Sequence, residues 1–426
     1  MRLPYRIVRP LARIALKIYF KKIYLTGLEN LPEDKPIILA ANHPTAFLEP
    51  CLLACLLPMP LHFMVRGDFF QKPIFRKMLE SLHMIPMYRM KDIGIKGVRN
   101  NFSSLDIVYD YLKKNTTILI LAEGTTVHEK RLRPIRKGAA RMAIGAIEKY
   151  PDLGVQIIPL GVNYTDVIRF RSTVMLDIGT PMEVKEYLKN TQQHRAKTIN
   201  LITKDLKEQL IKNVIHIAET ADDDMVNQAL EVRRNETNQI KFPIQVADRQ
   251  PLKQEIKVAN YINQLALGKK DALKKHLVNY FTELQTHHVV DLTVKTNRVN
   301  SFWDYLLYIV GYFPYILGYL LNFLPLFFGK WWSENKVSEI EFVAPIKASF
   351  SLAAYLVYMI SLLLIGVFIR HKLFWVMLLA IPLLGIYALY FRDFKIKFLQ
   401  QHRWASIENA QREAIQRQRA NILSQL

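Results

Sequence analysis

The sequence predicts an α/β domain, a mixed sheet flanked by helices, followed by a helical middle region and C-terminal transmembrane helices. Three observations predict this order. Between about Pro36 and Pro181, short β-rich runs alternate with segments of helical period. From about Val184 to Val299 the chain is polar, rich in Gln and Lys, and helical in period, with a break near Phe242 to Pro251. Finally, mean hydropathy is +0.05 although 58 Lys and Arg against 37 Asp and Glu set the net charge at +21, so the apolar residues must be concentrated, and they gather after Tyr305.

Within the α/β stretch the strand candidates are Ile37 to Ala40, His62 to Val65, Ile118 to Ala122, Val155 to Leu160 and Thr173 to Ile178. Helices are expected at Lys72 to Leu82, Asn101 to Lys113 and Lys137 to Glu148. The domain is expected to span 25–185 and the helical region 186–300. Ahead of them, residues 1–24 read as an amphipathic membrane-interface helix. Arg2, Arg6, Arg9, Arg13 and Lys17 recur every three or four residues, with Leu3, Ile7, Leu11, Ile14 and Ile18 largely elsewhere on the surface. No charge-free apolar core marks a cleaved signal peptide.

The region 301–392 holds three apolar stretches, Tyr305 to Phe328, Ala348 to Ile369 and Leu373 to Phe391, each near the ~20 residues of a bilayer crossing. Arg370, His371 and Lys372 separate the last two, which are read as an antiparallel transmembrane hairpin. Pro314 and Pro325 interrupt the first, and Gly311 and Gly318 loosen it, so it is expected to be re-entrant or interfacial. The basic helical tail, 393–426, and the basic N-terminal bulk both favour the cytoplasm, which implies an even number of crossings.

The two cysteines, Cys51 and Cys55, are too few for a disulfide framework or a zinc site, and their spacing of one helical turn places them in a core. The positive charge fits an anionic membrane and anionic small substrates. A nucleic-acid partner is not expected, because no recognisable module interleaves the basic residues with exposed aromatics. No metal-ligand cluster, P-loop or dinucleotide fingerprint is present in the sequence.

The most informative stretch is Ile37 to Cys51, IILAANHPTAFLEPC. An apolar strand ends at Asn42-His43-Pro44 and a helix then begins, with Glu49 six residues after the histidine. Side chains at such strand ends emerge into the crevice of an α/β sheet. A histidine there, backed by a carboxylate, is suited to deprotonating a hydroxyl. Three further stretches follow in order: Ile85-Pro86-Met87-Tyr88-Arg89, Leu121-Ala122-Glu123-Gly124-Thr125, and Ile157-Ile158-Pro159-Leu160-Gly161-Val162-Asn163-Tyr164.

Taken together, the four resemble the blocks of the glycerolphosphate and lysophosphatidate acyltransferase family, over roughly residues 25 to 185. The resemblance implies that His43 is the general base and Glu49 the acid that orients it, although the family's usual acid is an Asp after four intervening residues and here five precede a Glu. It implies an acceptor site of Asn42, Arg89, Glu123, Gly124, Thr125 and Lys137, with Arg89 on a phosphate. Where the third block usually reads Pro-Glu-Gly-Thr-Arg, this chain has Ala122 and Thr126 at the outer positions, leaving Arg131, Arg133 or Arg136 to replace the arginine. Pro159 of the fourth block is expected to shape the acyl-donor side. No bound cofactor is implied, since acyl-CoA or acyl carrier protein enters as donor substrate. The expected function is O-acylation of glycerol-3-phosphate or 1-acylglycerol-3-phosphate at a membrane. The alternative is a membrane-associated scaffold or lipid-binding protein on a degenerate domain of this kind.

Overall fold

A computed structural model describes residues 3–87, 100–192, 194–237, 242–369 and 371–426. They divide into two compact units: Met1–His216 with Lys241–Leu252 and Glu339–Pro345, and Ile217–Ile240 with Lys253–Ser338 and Ile346–Leu426. The first unit thus reaches past the expected end at residue 185. The reason is packing. Helices α6 (Val184–Asn190) and α7 (Arg195–Leu210) cover the sheet, and the two-residue strand β9 (Gln245–Val246) joins its edge.

The sheet is built from β1 (Lys22–Thr26), β2 (Ile37–Ala41), β3 (Leu61–Arg66), β4 (Met84–Met87), β5 (Thr117–Leu121), β6 (Gln156–Tyr164), β7 (Thr173–Ile178), β8 (Met182–Glu183) and β9. Its order is β4-β3-β5-β2-β6-β7-β1-β9, with β8 on β6. β6 meets β7 and β8 antiparallel and the remaining pairs are parallel, so the sheet is mixed. Ile37–Ala41 is wholly buried, as a central parallel strand covered on both faces must be. Pro159 sits in β6 where pairing changes hands, between the β8 ladder at Gln156 and Ile157 and the β7 ladder from Leu160 onward. A residue without an N–H is tolerated at that seam, and its carbonyl accepts from Gly179 N at 2.8 Å.

Around the sheet lie α1 (Leu3–Tyr19), α2 (Leu48–Leu56), α3 (Pro73–Ser81), α4 (Asn100–Lys113) and α5 (Gly138–Lys149). One apolar core joins Val108 and Leu112 of α4, Ala143 and Ile144 of α5 and Ile202 and Leu206 of α7 to Ile38, Ile118 and Ile157 of the sheet. On α1, Tyr5, Leu16 and Tyr19 are buried, whereas Leu3, Ile7, Leu11, Ile14 and Ile18 form a stripe that is 36–69% exposed. Arg9 of the basic row turns inward, its guanidinium donating to the Leu57 carbonyl at the C-terminal end of α2. Arg2 lies outside the described residues.

The second unit is helical: α8 (Asp223–Glu236), α9 (Gln250–Gln264, which begins in the first unit), α10 (Leu267–Thr286), α11 (Asp291–Thr296), α12 (Phe302–Lys336), α13 (Ile340–Ile369, which also begins in the first unit), α14 (Lys372–Ser406) and α15 (Asn409–Gln425). The basic tail is folded into this unit. Arg419 is buried, with Nε 2.8 Å from Asp291 Oδ1 and Nη1 2.7 Å from Glu236 Oε1.

Three helices, α12, α13 and α14, are long and apolar enough to cross a membrane. The first stretch is helical throughout, α12 running for 35 residues through Pro314 and Pro325. A proline frees the carbonyl four residues before it. For Pro325 that is Leu321, whose oxygen accepts from Tyr358 Oη at 2.9 Å. The glycines expected to loosen α12 are contact points: a Cβ at Gly311 would meet Phe391 at 2.3 Å and one at Gly318 would meet the Leu384 carbonyl at 2.2 Å. Asn322 donates to the Ile381 carbonyl at 3.0 Å. As α12 advances from Gly311 to Asn322, its partner recedes from Phe391 to Ile381, so α12 and α14 are antiparallel.

Candidate active site

β2, β3, β4, β5 and β6 all run the same way, so their carboxyl ends share one edge of the sheet. Such an edge is where an α/β sheet opens a crevice. β2 lies between β5 and β6; the first and third sequence blocks run out of β2 and β5, and the fourth lies within β6.

Asn42 follows β2 directly. Its Nδ2 donates to the Val162 carbonyl at 2.9 Å and its Oδ1 accepts from Val162 N at 2.7 Å. The side chain thus prolongs the β2–β6 ladder beyond the last backbone pair and fixes where the next residue emerges. That residue is His43, buried, with its backbone N–H donating to Glu123 Oε2 at 2.9 Å. Its Nδ1 lies 3.4 Å from Glu49 Oε2. Its Nε2 lies 2.7 Å from Thr126 Oγ1.

Glu49 reaches the imidazole because the turn 43–47 folds back on the first turn of α2. Thr45 N donates to Glu49 Oε1 at 2.9 Å, and Thr45 Oγ1 accepts from Leu48 N at 3.2 Å, closing the helix start. Five intervening residues are therefore compatible with contact, since the extra residue is taken up in this turn and the acid sits where a helix N-terminus favours negative charge. Glu49 is fully buried, and a buried carboxylate is costly unless hydrogen-bonded. Besides Thr45, Tyr164 Oη donates to Oε1 at 3.4 Å. Burial, reinforced by the Glu49 charge, holds the Tyr164 phenol well above its usual range, so it remains a donor.

Glu123 follows β5 and is buried. It binds basic and backbone partners: Oε2 accepts from His43 N and, at 3.1 Å, from Arg133 Nη2, while Oε1 accepts from Arg133 N at 2.8 Å. Arg133 Nη1 also donates to Thr125 Oγ1 at 2.8 Å, and Nη2 to the Thr125 carbonyl. One arginine thus braces the loop that carries Glu123, Gly124 and Thr125. Gly124 has φ +73°, and a Cβ there would lie 3.1 Å from Arg136 Cγ. Arg131 pairs with Glu129 at 2.9 Å, whereas Arg136 and Lys137, at the start of α5, are exposed. Arg89 lies outside the described residues.

The fourth block, expected to shape the donor side, is engaged in folding. Asn163 Nδ2 donates to the Asn213 carbonyl at 2.9 Å and its Oδ1 accepts from Ile215 N at 2.8 Å, while a Cβ on Gly161 would come within 1.9 Å of the Asn213 oxygen. These residues admit and hold the segment that follows α7. Cys55 is buried, which pushes its thiol up to about 11, the behaviour of a core residue.

Two participants were not legible as such in the sequence. Thr126 could be read only as a missing arginine, yet its hydroxyl faces His43 Nε2. Glu341, far away in sequence, accepts from His128 N at 3.2 Å through Oε1 and from Ala46 N at 3.1 Å through its backbone carbonyl, within the same unit. No local motif marks such a contact.

The family model Acyltransferase matches residues 22–163. Glycerol-3-phosphate O-acyltransferase 1 of Saccharomyces cerevisiae is 32% identical over 27% of this chain and 15% of its own length. An uncharacterized acyltransferase of Schizosaccharomyces pombe is 34% identical over 40% of this chain and 38% of its own. A chloroplastic 1-acyl-sn-glycerol-3-phosphate acyltransferase of Arabidopsis thaliana is 29% identical over 34% of this chain and 37% of its own. The chain therefore matches well under half the length of each of these relatives, and the family-model match takes in His43, Glu49 and Glu123. The chain carries a domain of the acyltransferase family.

Proposed function

We propose that the protein is a membrane-bound O-acyltransferase of phospholipid synthesis, moving a fatty acyl group from an acyl thioester to a hydroxyl of glycerol-3-phosphate or 1-acylglycerol-3-phosphate. The observation that carries this reading is the line Glu49–His43, with Nδ1 facing a buried carboxylate at 3.4 Å and Nε2 directed away from it at the carboxyl edge of the sheet. The carboxylate favours the tautomer with the proton on Nδ1, which leaves Nε2 basic. Nε2 removes the proton of the acceptor hydroxyl as that oxygen attacks the thioester carbonyl. The C–S bond breaks, and the departing thiolate takes the proton back from the imidazolium. Holding both substrates in register supplies much of the rate.

Arg89, Lys137 and the exposed Arg136 are assigned to the acceptor's phosphate, for which a guanidinium offers paired donors. Acyl-CoA or acyl carrier protein serves as donor, and the reaction needs no bound cofactor. The exposed apolar stripe of α1, together with Arg6, Arg13 and Lys17, suits an anionic membrane surface. The basic flanks of the apolar helices support a cytoplasmic orientation for the domain. Purified full-length protein incubated with radiolabelled acyl-CoA or acyl carrier protein and a panel of acceptors tests the proposal. Label should enter the phosphorylated glycerols; a protein that binds vesicles but labels no acceptor would be a scaffold on this fold.

A further inference from the structure

The imidazole of His43 makes a second contact that the reaction above does not use. With a proton on Nδ1 facing Glu49, Nε2 has a single lone pair in the ring plane, and Thr126 Oγ1 stands 2.7 Å from it. That is the distance and position an acceptor hydroxyl needs. The two hydroxyls cannot occupy the lone pair together.

The contact is built into the loop. Gly124 at φ +73° turns the chain, Glu123 ties it to the His43 backbone, and Arg133 grips Thr125 by both its hydroxyl and its carbonyl. The backbone on the N-terminal side of Thr126 is thus pinned, leaving rotation about its own Cα–Cβ bond as the means of withdrawing the hydroxyl.

We propose that Thr126 guards the base, occupying His43 Nε2 until an anchored acceptor hydroxyl displaces it, and thereby suppresses hydrolysis of the acyl thioester by water. This rests on the assignment of His43 as base. Water that reached a free Nε2 would be deprotonated as readily as the acceptor and would release free fatty acid. An acceptor fixed by its phosphate presents its hydroxyl at high effective concentration and displaces Thr126, whereas a diffusing water competes poorly with a preformed hydrogen bond. Thr126 is a positioning residue that sets the ratio of transfer at saturating acceptor to hydrolysis without acceptor.

Release of CoA from acyl-CoA by the purified full-length protein, measured with a thiol reagent with and without glycerol-3-phosphate and 1-acylglycerol-3-phosphate, tests this. Thr126→Val keeps the shape and removes the hydroxyl. The loss of one hydrogen bond should raise acceptor-free CoA release about 3- to 10-fold and lower the acceptor's KM by a similar factor. Thr126→Ser should restore the wild-type ratio. If Thr126→Val, folded by circular dichroism, lost transfer and hydrolysis together, the hydroxyl would belong to the chemical step and the guard would be overturned; an unmoved ratio would overturn it as well. Thr126→Ala gives the same readout should the valine not fit. Full transfer by His43→Ala would instead sink the base assignment, an outcome separate from any change in the ratio.

Discussion

His43 donates its backbone N–H to Glu123, and its ring lies between Glu49, 3.4 Å from Nδ1, and Thr126, 2.7 Å from Nε2. His43→Ala should therefore lower acyl transfer by roughly 10²–10⁴-fold, the usual effect of losing a general base, while the circular dichroism spectrum stays unchanged. Glu49→Gln keeps the size and removes the charge that selects the tautomer. It should cost at least about 10-fold in kcat but less than His43→Ala, with little change in the donor's KM. Gly124 carries a different burden. A side chain in its left-handed backbone costs about 1–2 kcal/mol, and here a Cβ also presses on Arg136, so Gly124→Ala should lower the urea midpoint as well as activity. His43 and Glu49 were legible as neighbours because a strand end and residue types are local facts, and Glu123 through the resemblance of its block to the family's third. Arg133 as their brace was not, because its partners are fixed by the path of the loop between β5 and α5.

At the scale of elements, the strands around the site were legible from short β-branched runs bounded by turn residues, and Thr173–Ile178 was placed to the residue. β1 was obscured by the basic charges of Lys21 before it and Lys22 at its start, and β9 is two residues long, too short for any alternation. At Pro325 of α12 the freed Leu321 carbonyl is satisfied by a tyrosine on α13, so the helix continues through a proline that the sequence alone marked as an interruption. α1 shows what periodicity does convey. Its stripe of Leu3, Ile7, Leu11, Ile14 and Ile18 faces outward, so it was selected for something other than the core. Replacing Ile7 and Leu11 by Ser should leave the melting temperature within a few degrees and weaken sedimentation of the isolated first 25 residues, made as a peptide, with anionic vesicles by about 10-fold. Undiminished sedimentation would remove α1 from the membrane contact.

For the molecule as a whole, the antiparallel packing of α12 on α14 limits the path through a bilayer. Three successive full crossings would send these two helices in the same direction, yet Gly311 lies against Phe391 and Asn322 against Ile381. The start of α12 and the end of α14 should therefore emerge on one side. Single cysteines at the exposed positions Val299 and Ser424, in a protein lacking Cys51 and Cys55, should both react with an impermeant maleimide from the cytoplasmic face alone. Labelling from opposite faces would restore three crossings.

The outward apolar stripe of α1 carries a kinetic corollary. A protein that rests on a bilayer through such a stripe samples its lipid substrates in two dimensions, so the variable that governs its rate is the number of acceptor molecules per unit of surface. Diluting a long-chain acceptor with inert lipid at constant bulk concentration should then slow the enzyme, whereas adding more vesicles of the same composition should not. Water-soluble glycerol-3-phosphate, arriving from the third dimension, should be indifferent to both.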